Sequence, residues 1–164
     1  MLVGKTTVGK ILAQRLGIEF FDSDQLIEKE EGRSVMRIFR ENGEPYFRER
    51  EAELFRRLMK RHSVVIATGG GTLVDDELFR LCKQKAISVH LAASIETILE
   101  RSRKSKGNRS LLQKDAQRIE DLFKFRSEIY AGCDFLVNIE GLSPEQIAAK
   151  IVEKLKENNE LEEP

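Results

Sequence analysis

The sequence predicts an α/β fold built on a parallel sheet. Four short apolar, β-prone runs, at residues 18–21, 63–68, 86–91 and 134–139, are each bounded by Gly, Asp or Ser. Helical patterns separate them, and strands that alternate with helices imply parallel pairing. A chain of 164 residues, 40% hydrophobic and 34% charged, fits one domain around a single core.

The first helix follows from Val8, Ile11, Leu12 and Leu16, which recur at helical spacing and stop at Gly17, a C-cap residue. Further helices are expected at about 24–31, 34–42, 44–61, 75–85, 94–103, 115–131 and 143–157. The last opens with Ser143-Pro144, an N-cap followed by proline at the first helical position. No period repeats along the chain, and residues 157–164 read as a solvated tail.

Charge and cysteine usage exclude several classes of function. Twenty-eight Lys and Arg balance 28 Asp and Glu, which removes the bulk electrostatic drive toward nucleic acid or anionic membrane. Cys82 and Cys133 lie far apart, with neither a CxxC nor a Cys/His spacing, so neither a disulfide framework nor a zinc site is expected. No run approaches 18 apolar residues and no leader pattern is present. The expected setting is the cytoplasm.

The chemistry starts at Gly4-Lys5-Thr6-Thr7, which opens the first amphipathic helix and matches the second half of the phosphate-loop pattern GxxxxGK[ST]. Backbone N–H groups at a helix N-terminus point at a bound phosphate, and Gly4 permits close approach. Lys5 supplies positive charge, and Thr6 offers Mg²⁺ a hydroxyl. A lone GKT also fits an ordinary exposed first turn. The full pattern needs a glycine five residues before Gly4, upstream of Met1, and a buried strand before that. The chain is therefore expected either to start at an internal methionine of a longer protein or to have lost its phosphate cradle.

Asp22-Ser23-Asp24 follows the first β-run, at the carboxyl end of a strand where open α/β sheets place ligands. The same pair also suits a helix N-cap. Farther on come Phe47-Arg48-Glu49-Arg50-Glu51 in a helical stretch and Thr68-Gly69-Gly70-Gly71 after an apolar strand. Three glycines in a row cost backbone entropy and let a small ligand come close to the chain.

The ordered set GKTT, FDSD, YFRERE, ATGGGT, NRSLL and FRSEIY resembles the shikimate kinase family of P-loop folds, from Gly4 to about Lys154. That resemblance implies a three-layer αβα P-loop kinase fold whose parallel sheet has five strands in the order 2-3-1-4-5. The central first strand of that order has no counterpart in this chain. One domain over 1–156 is implied, with substrate-binding helices at about 23–61 and a lid at about 103–114. The implied reaction transfers the γ-phosphoryl of ATP to the 3-hydroxyl of shikimate, with Mg²⁺, on the path to chorismate and the aromatic amino acids.

Carried over by position, Gly4, Lys5, Thr6 and Thr7 are the nucleotide-binding start. Thr6 and Asp22 face the Mg²⁺. Asp24 holds substrate hydroxyls and orients or deprotonates the attacking oxygen. Arg48 and Arg126 take the shikimate carboxylate, a task suited to planar guanidinium forks. Gly70 and Gly71 present backbone to the substrate ring, Glu51 orients Arg48, and Arg109 reaches the transferring phosphate from the lid. Here the chain departs from the family, with Ser110 in place of the usual proline, which bears on lid stiffness. Residues 138–144 occupy the position of the adenine loop, and His62 and His90 are expected to be structural.

The implied partners are shikimate and ATP, with no nucleic acid and no membrane, and the chain is expected to be a monomer. Two rival readings remain: a P-loop kinase for another small hydroxy acid or a nucleotide, and a catalytically impaired shikimate-binding module. The DxD pair, the glycine run and the two arginines suit a small hydroxylated carboxylate better than a nucleobase.

Overall fold

Helix α1 (Lys5–Leu16) begins on Gly4, whose φ of 84° lies in the left-handed region, and ends at Gly17 (φ 67°), where the missing Cβ makes such a turn cheap. The computed structural model describes residues 3–104 and 116–158, with side chains described outside 102–118. Strand β1 (Glu19–Asp22) leads directly into α2 (Ser23–Glu31). Asp22 caps α2, accepting the Gln25 N–H at 3.1 Å. Helix α3 (Val35–Leu58) starts on a Ser34 cap and is kinked at Gly43, where φ is 82° and Pro45 follows. The two helices expected at 34–42 and 44–61 are the two segments on either side of this break.

Strand β2 (Val64–Ala67) runs into the glycines and a short 3₁₀ turn (Thr72–Val74), then α4 (Asp76–Lys85). The second half comprises β3 (Val89–Ala92), α5 (Ile95–Lys104), α6 (Ala116–Tyr130), β4 (Phe135–Asn138) and α7 (Pro144–Glu157). Helix α7 has a full capping box, with Ser143 Oγ accepting from the Gln146 N–H and Gln146 Oε1 from the Ser143 N–H. None of the described helices is long and apolar enough to cross a membrane.

Both strand pairs are parallel, Glu19 lying opposite Val64 in one and Val89 opposite Phe135 in the other. Among the described residues no ladder joins β2 to β3. Both strands instead line a cleft of about 1020 Å³, together with Val8 and Leu12 of α1. Val64, Val65 and Ile66 are only half-buried, whereas strands of a covered parallel sheet are normally enclosed on both faces. The cleft lies where the order 2-3-1-4-5 has its central strand.

Helices hold the two half-sheets together. Val8 and Leu12 of α1 pack with Leu91, Val137, Ile151 and Leu155 in one apolar cluster. A second cluster joins Ile27 and Ile38 to Phe47, Leu54 and Leu58, and a third joins Phe55, Leu73, Leu78 and Cys82. Each such side chain contributes about 1.5–3 kcal/mol when fully buried.

Candidate active site

The start of α1, the β1–α2 junction, the part of α3 beyond its Gly43 kink and the turn after β2 converge at one end of the first half-sheet. Thr6 Oγ1 donates to Asp22 Oδ2 at 2.6 Å. This brings a hydroxyl and a carboxylate together across the ends of two elements that are adjacent in the chain. Lys5 lies beside them. Burial pushes its ammonium below the usual lysine range, Asp24 and Asp22 oppose that shift, and Arg126 adds to it.

Asp24, in the first turn of α2, responds in the opposite sense. Burial raises its carboxyl above the usual aspartate range, Asp22, Glu51 and Glu28 raise it further, and Lys5 pulls it back. A carboxylate with a raised pKa beside a cation is a candidate proton acceptor.

The glycine turn is walled by this acidic group. A Cβ placed on Gly69 would lie 2.5 Å from Glu51 Oε1 and 2.9 Å from Asp24 Oδ1, and one on Gly71 would lie 2.7 Å from Arg48 Nη1. Only glycine allows the backbone to come so close at these positions. Glu51 is 2% exposed and both of its oxygens are used, Oε1 accepting from Thr72 Oγ1 and Oε2 from Arg48 Nη1, each at 2.6 Å. Arg48 also donates to Glu44 Oε1, at 2.9 and 3.2 Å, so its fork is held from two sides.

Arg126 approaches from α6 in the other half of the molecule. Its Nε is buried and has no partner among the described residues, and none of the ion pairs among them includes it. Two guanidiniums, Arg48 held by carboxylates and Arg126 with no partner for its Nε among the described residues, stand near the glycine turn, an arrangement suited to a planar carboxylate.

Thr6 and Asp22 form a fitting donor set for Mg²⁺, a hard cation that keeps several waters and takes few protein oxygens. Among the described residues no group of three or more His, Cys, Asp or Glu could hold a metal by itself.

Of the residues expected from sequence, Gly4, Lys5, Thr6, Asp22, Asp24, Arg48, Glu51, Gly70, Gly71 and Arg126 share this region. Thr7 points from the first turn of α1 and is exposed. Arg109 and Ser110 lie outside the described residues. His62 is exposed, and His90 sits edge-on to Tyr130, 5.3 Å between ring centroids.

Sequence reasoning passed over four residues that shape the site. Ser23 Oγ accepts the Gly69 N–H at 2.9 Å, Thr72 and Glu44 hold Glu51 and Arg48 as described, and Tyr130 Oη donates to the Gly70 carbonyl at 2.8 Å. Glu44 was within reach of the helical i, i+4 rule with Arg48, and Tyr130 stands at the same interval after Arg126.

The family model described as "Shikimate kinase" matches residues 1–156. A shikimate kinase from Persephonella marina is 42% identical over 153 residues, 93% of each chain. Among solved structures, shikimate kinase from Acinetobacter baumannii in complex with shikimate superposes with a TM-score of 0.88 at 37% identity, covering 96% of this chain and 89% of that one. The Aquifex aeolicus enzyme superposes with a TM-score of 0.84 at 36% identity, covering 97% and 94%.

Proposed function

The chain belongs to the shikimate kinase family and is an ATP-dependent phosphotransferase acting on shikimate, and we propose the following division of labour among its residues. Arg48 and Arg126 take the shikimate carboxylate, and the Gly70–Gly71 backbone meets the ring. Asp24 receives the 3-hydroxyl. The observation that carries this reading is the pairing of a braced Arg48 with an Arg126 whose buried Nε has no partner among the described residues.

Phosphoryl transfer needs little covalent help from a protein, so placement and charge stabilisation supply most of the rate. Asp24 orients the attacking oxygen and accepts its proton, a role its raised pKa suits. Lys5 faces the transferring phosphoryl with positive charge at the N-terminus of α1, whose N–H groups favour an anion. Thr6 and Asp22 supply oxygens for Mg²⁺, which when bound neutralises charge on the β- and γ-phosphates. Arg109, carried over from the family's lid, adds positive charge at the transition state.

A coupled ADP assay tests the assignment. Release of ADP is expected to require both shikimate and Mg²⁺. Comparable turnover with gluconate or a nucleoside monophosphate in place of shikimate would overturn it.

A further inference from the structure

The turn after β2 holds three glycines, and its peptide planes are held by a small set of hydrogen bonds. Ser23 Oγ accepts the Gly69 N–H at 2.9 Å, the Thr72 N–H reaches the Gly69 carbonyl at 3.5 Å, and the Val74 N–H reaches the Gly71 carbonyl at 3.1 Å. All of these come from the first half of the chain. The peptide between Gly70 and Gly71 is held differently. Its carbonyl accepts from Tyr130 Oη at 2.8 Å, and Tyr130 ends α6, sixty residues farther on.

The carbonyl of Gly70 and the N–H of Gly71 belong to one planar trans peptide unit, so they point in opposite directions. Drawing the carbonyl toward Tyr130 turns the Gly71 N–H away from it. Among the described residues neither the Gly70 nor the Gly71 N–H has a hydrogen-bond partner. Glycine has little intrinsic preference between the two faces of such a peptide, and without the phenol this plane has no partner among the described residues to fix it.

The same side chain is anchored twice more. It lies one helical turn beyond Arg126, on the same face of α6. Its ring packs edge-on against His90 of β3, at an interplanar angle of 64°. One hydroxyl thus joins the helix that carries Arg126 to the glycine turn that packs against Arg48.

We propose that Tyr130 is a positioning residue for the acceptor substrate, setting the Gly70–Gly71 peptide plane and the spacing between Arg126 and Arg48. The proposal rests on the reading that these two arginines and the glycine turn receive shikimate. Tyr130 itself touches neither the nucleotide nor the reacting oxygen in this scheme, so its effect is selective for the acceptor.

The test compares Tyr130→Phe with the parent chain by calorimetric titration of shikimate and of ATP separately, thermal unfolding and coupled kinetics. Phenylalanine keeps the ring contact with His90 and removes only the hydroxyl. Shikimate affinity is expected to fall about 2- to 12-fold, as for one lost neutral hydrogen bond. KM for shikimate rises in the same proportion, kcat falls less than the KM rises, ATP affinity stays put, and the melting temperature falls by no more than about a few degrees. Unchanged shikimate affinity, or an equal loss for ATP, overturns the proposal. Tyr130→Leu, which also removes the ring, is expected to lower the melting temperature and to weaken shikimate at least as much. Arg126→Ala in the same titration separates the two levels. If it binds shikimate like the parent, the carboxylate reading itself fails; if it weakens binding while Tyr130→Phe does not, only the role of Tyr130 falls.

Discussion

Replacing Gly71 with alanine is expected to weaken shikimate binding about 10- to 100-fold while leaving the fold intact. Gly71 has φ −123° and ψ −4°, a conformation open to alanine, so the substitution carries no left-handed strain. The new Cβ would stand 2.7 Å from Nη1, 2.8 Å from Nη2 and 2.9 Å from Cζ of Arg48. To regain an ordinary contact of 3.4 Å the guanidinium must retreat by about 0.7 Å at Nη1. Arg48 is the far end of a long side chain, 35% exposed, so it can yield without unfolding the chain, although its bond to the buried Glu51 weakens. What it loses is alignment with the substrate. A hydrogen bond to a charged group is worth about 1.5–3 kcal/mol, and every 1.4 kcal/mol is about tenfold in affinity. Forfeiting one arm of the guanidinium fork therefore gives the stated range.

Calorimetric titration of shikimate, paired with a thermal melt, reads both sides of that argument. Gly69→Ala is the contrast, because its Cβ would meet the buried Glu51 carboxylate at 2.5 Å, Asp24 at 2.9 Å and Thr72 at 3.2 Å. Glu51 is fixed from both sides, so this variant is expected to melt lower. If Gly71→Ala binds shikimate like the parent chain, Arg48 does not meet the carboxylate. If its melt collapses, Arg48 serves the fold and not the ligand.

Arg48→Ala and Arg126→Ala are each expected to weaken shikimate by roughly 2–5 kcal/mol with far less effect on ATP, which parallel titrations measure; unchanged shikimate affinity in both would refute the clamp. Asp24→Asn is expected to lower kcat yet raise the melting temperature near neutral pH. The folded-state pKa of Asp24 is raised, so its contribution to stability is present at low pH and lost as pH rises through that value; a melt series against pH should show the two curves meeting in acid. Asp134 works the other way. Burial pushes its carboxyl up, but Lys83 and the hydroxyl and amide of Ser88 outweigh this and hold it at about 2. Asp134→Ala should melt lower at neutral pH, with the difference vanishing as the parent is acidified from about 4 toward 2. Finally, an apolar strand with a glycine-rich turn added ahead of Met1 should seat in the cleft between β2 and β3, raising the melting temperature, ATP affinity and turnover above those of the 164-residue chain; equal values in the two chains would show that the cleft is not a strand site.

Much of this site was legible because its residues occur in short runs that carry their own chemistry. Lys5 and Thr6 follow a glycine at a helix start, and Asp22 and Asp24 end a strand. Glu51 sits one turn after Arg48. Two of the residues that escaped notice, Ser23 and Tyr130, act on the backbone of the glycine turn, and nothing in a side-chain pattern announces a partner that is a carbonyl or an amide far away in the chain. Boundaries moved for local reasons. The third strand was expected at 86–91 but runs Val89–Ala92, because the Ala86 N–H closes the end of α4 on the Cys82 carbonyl. The turn after the glycines was missed because three residues of 3₁₀ helix leave no periodicity to read.

The separation of the two strand pairs bears on how the molecule opens. Each pair is contained in its own stretch of chain, β1 with β2 and β3 with β4, so strand pairing in one half breaks without disturbing a single ladder bond in the other. Protection against local unfolding passes between the halves through helical packing, chiefly α1, whose Val8 and Leu12 share a cluster with β3, β4 and α7. Segments joined by side chains alone exchange their amides as separate cooperative units. Helix α1 packs against both halves, and the residues proposed to meet the phosphate sit at its first turn, so any opening between the halves is felt at that end of the site.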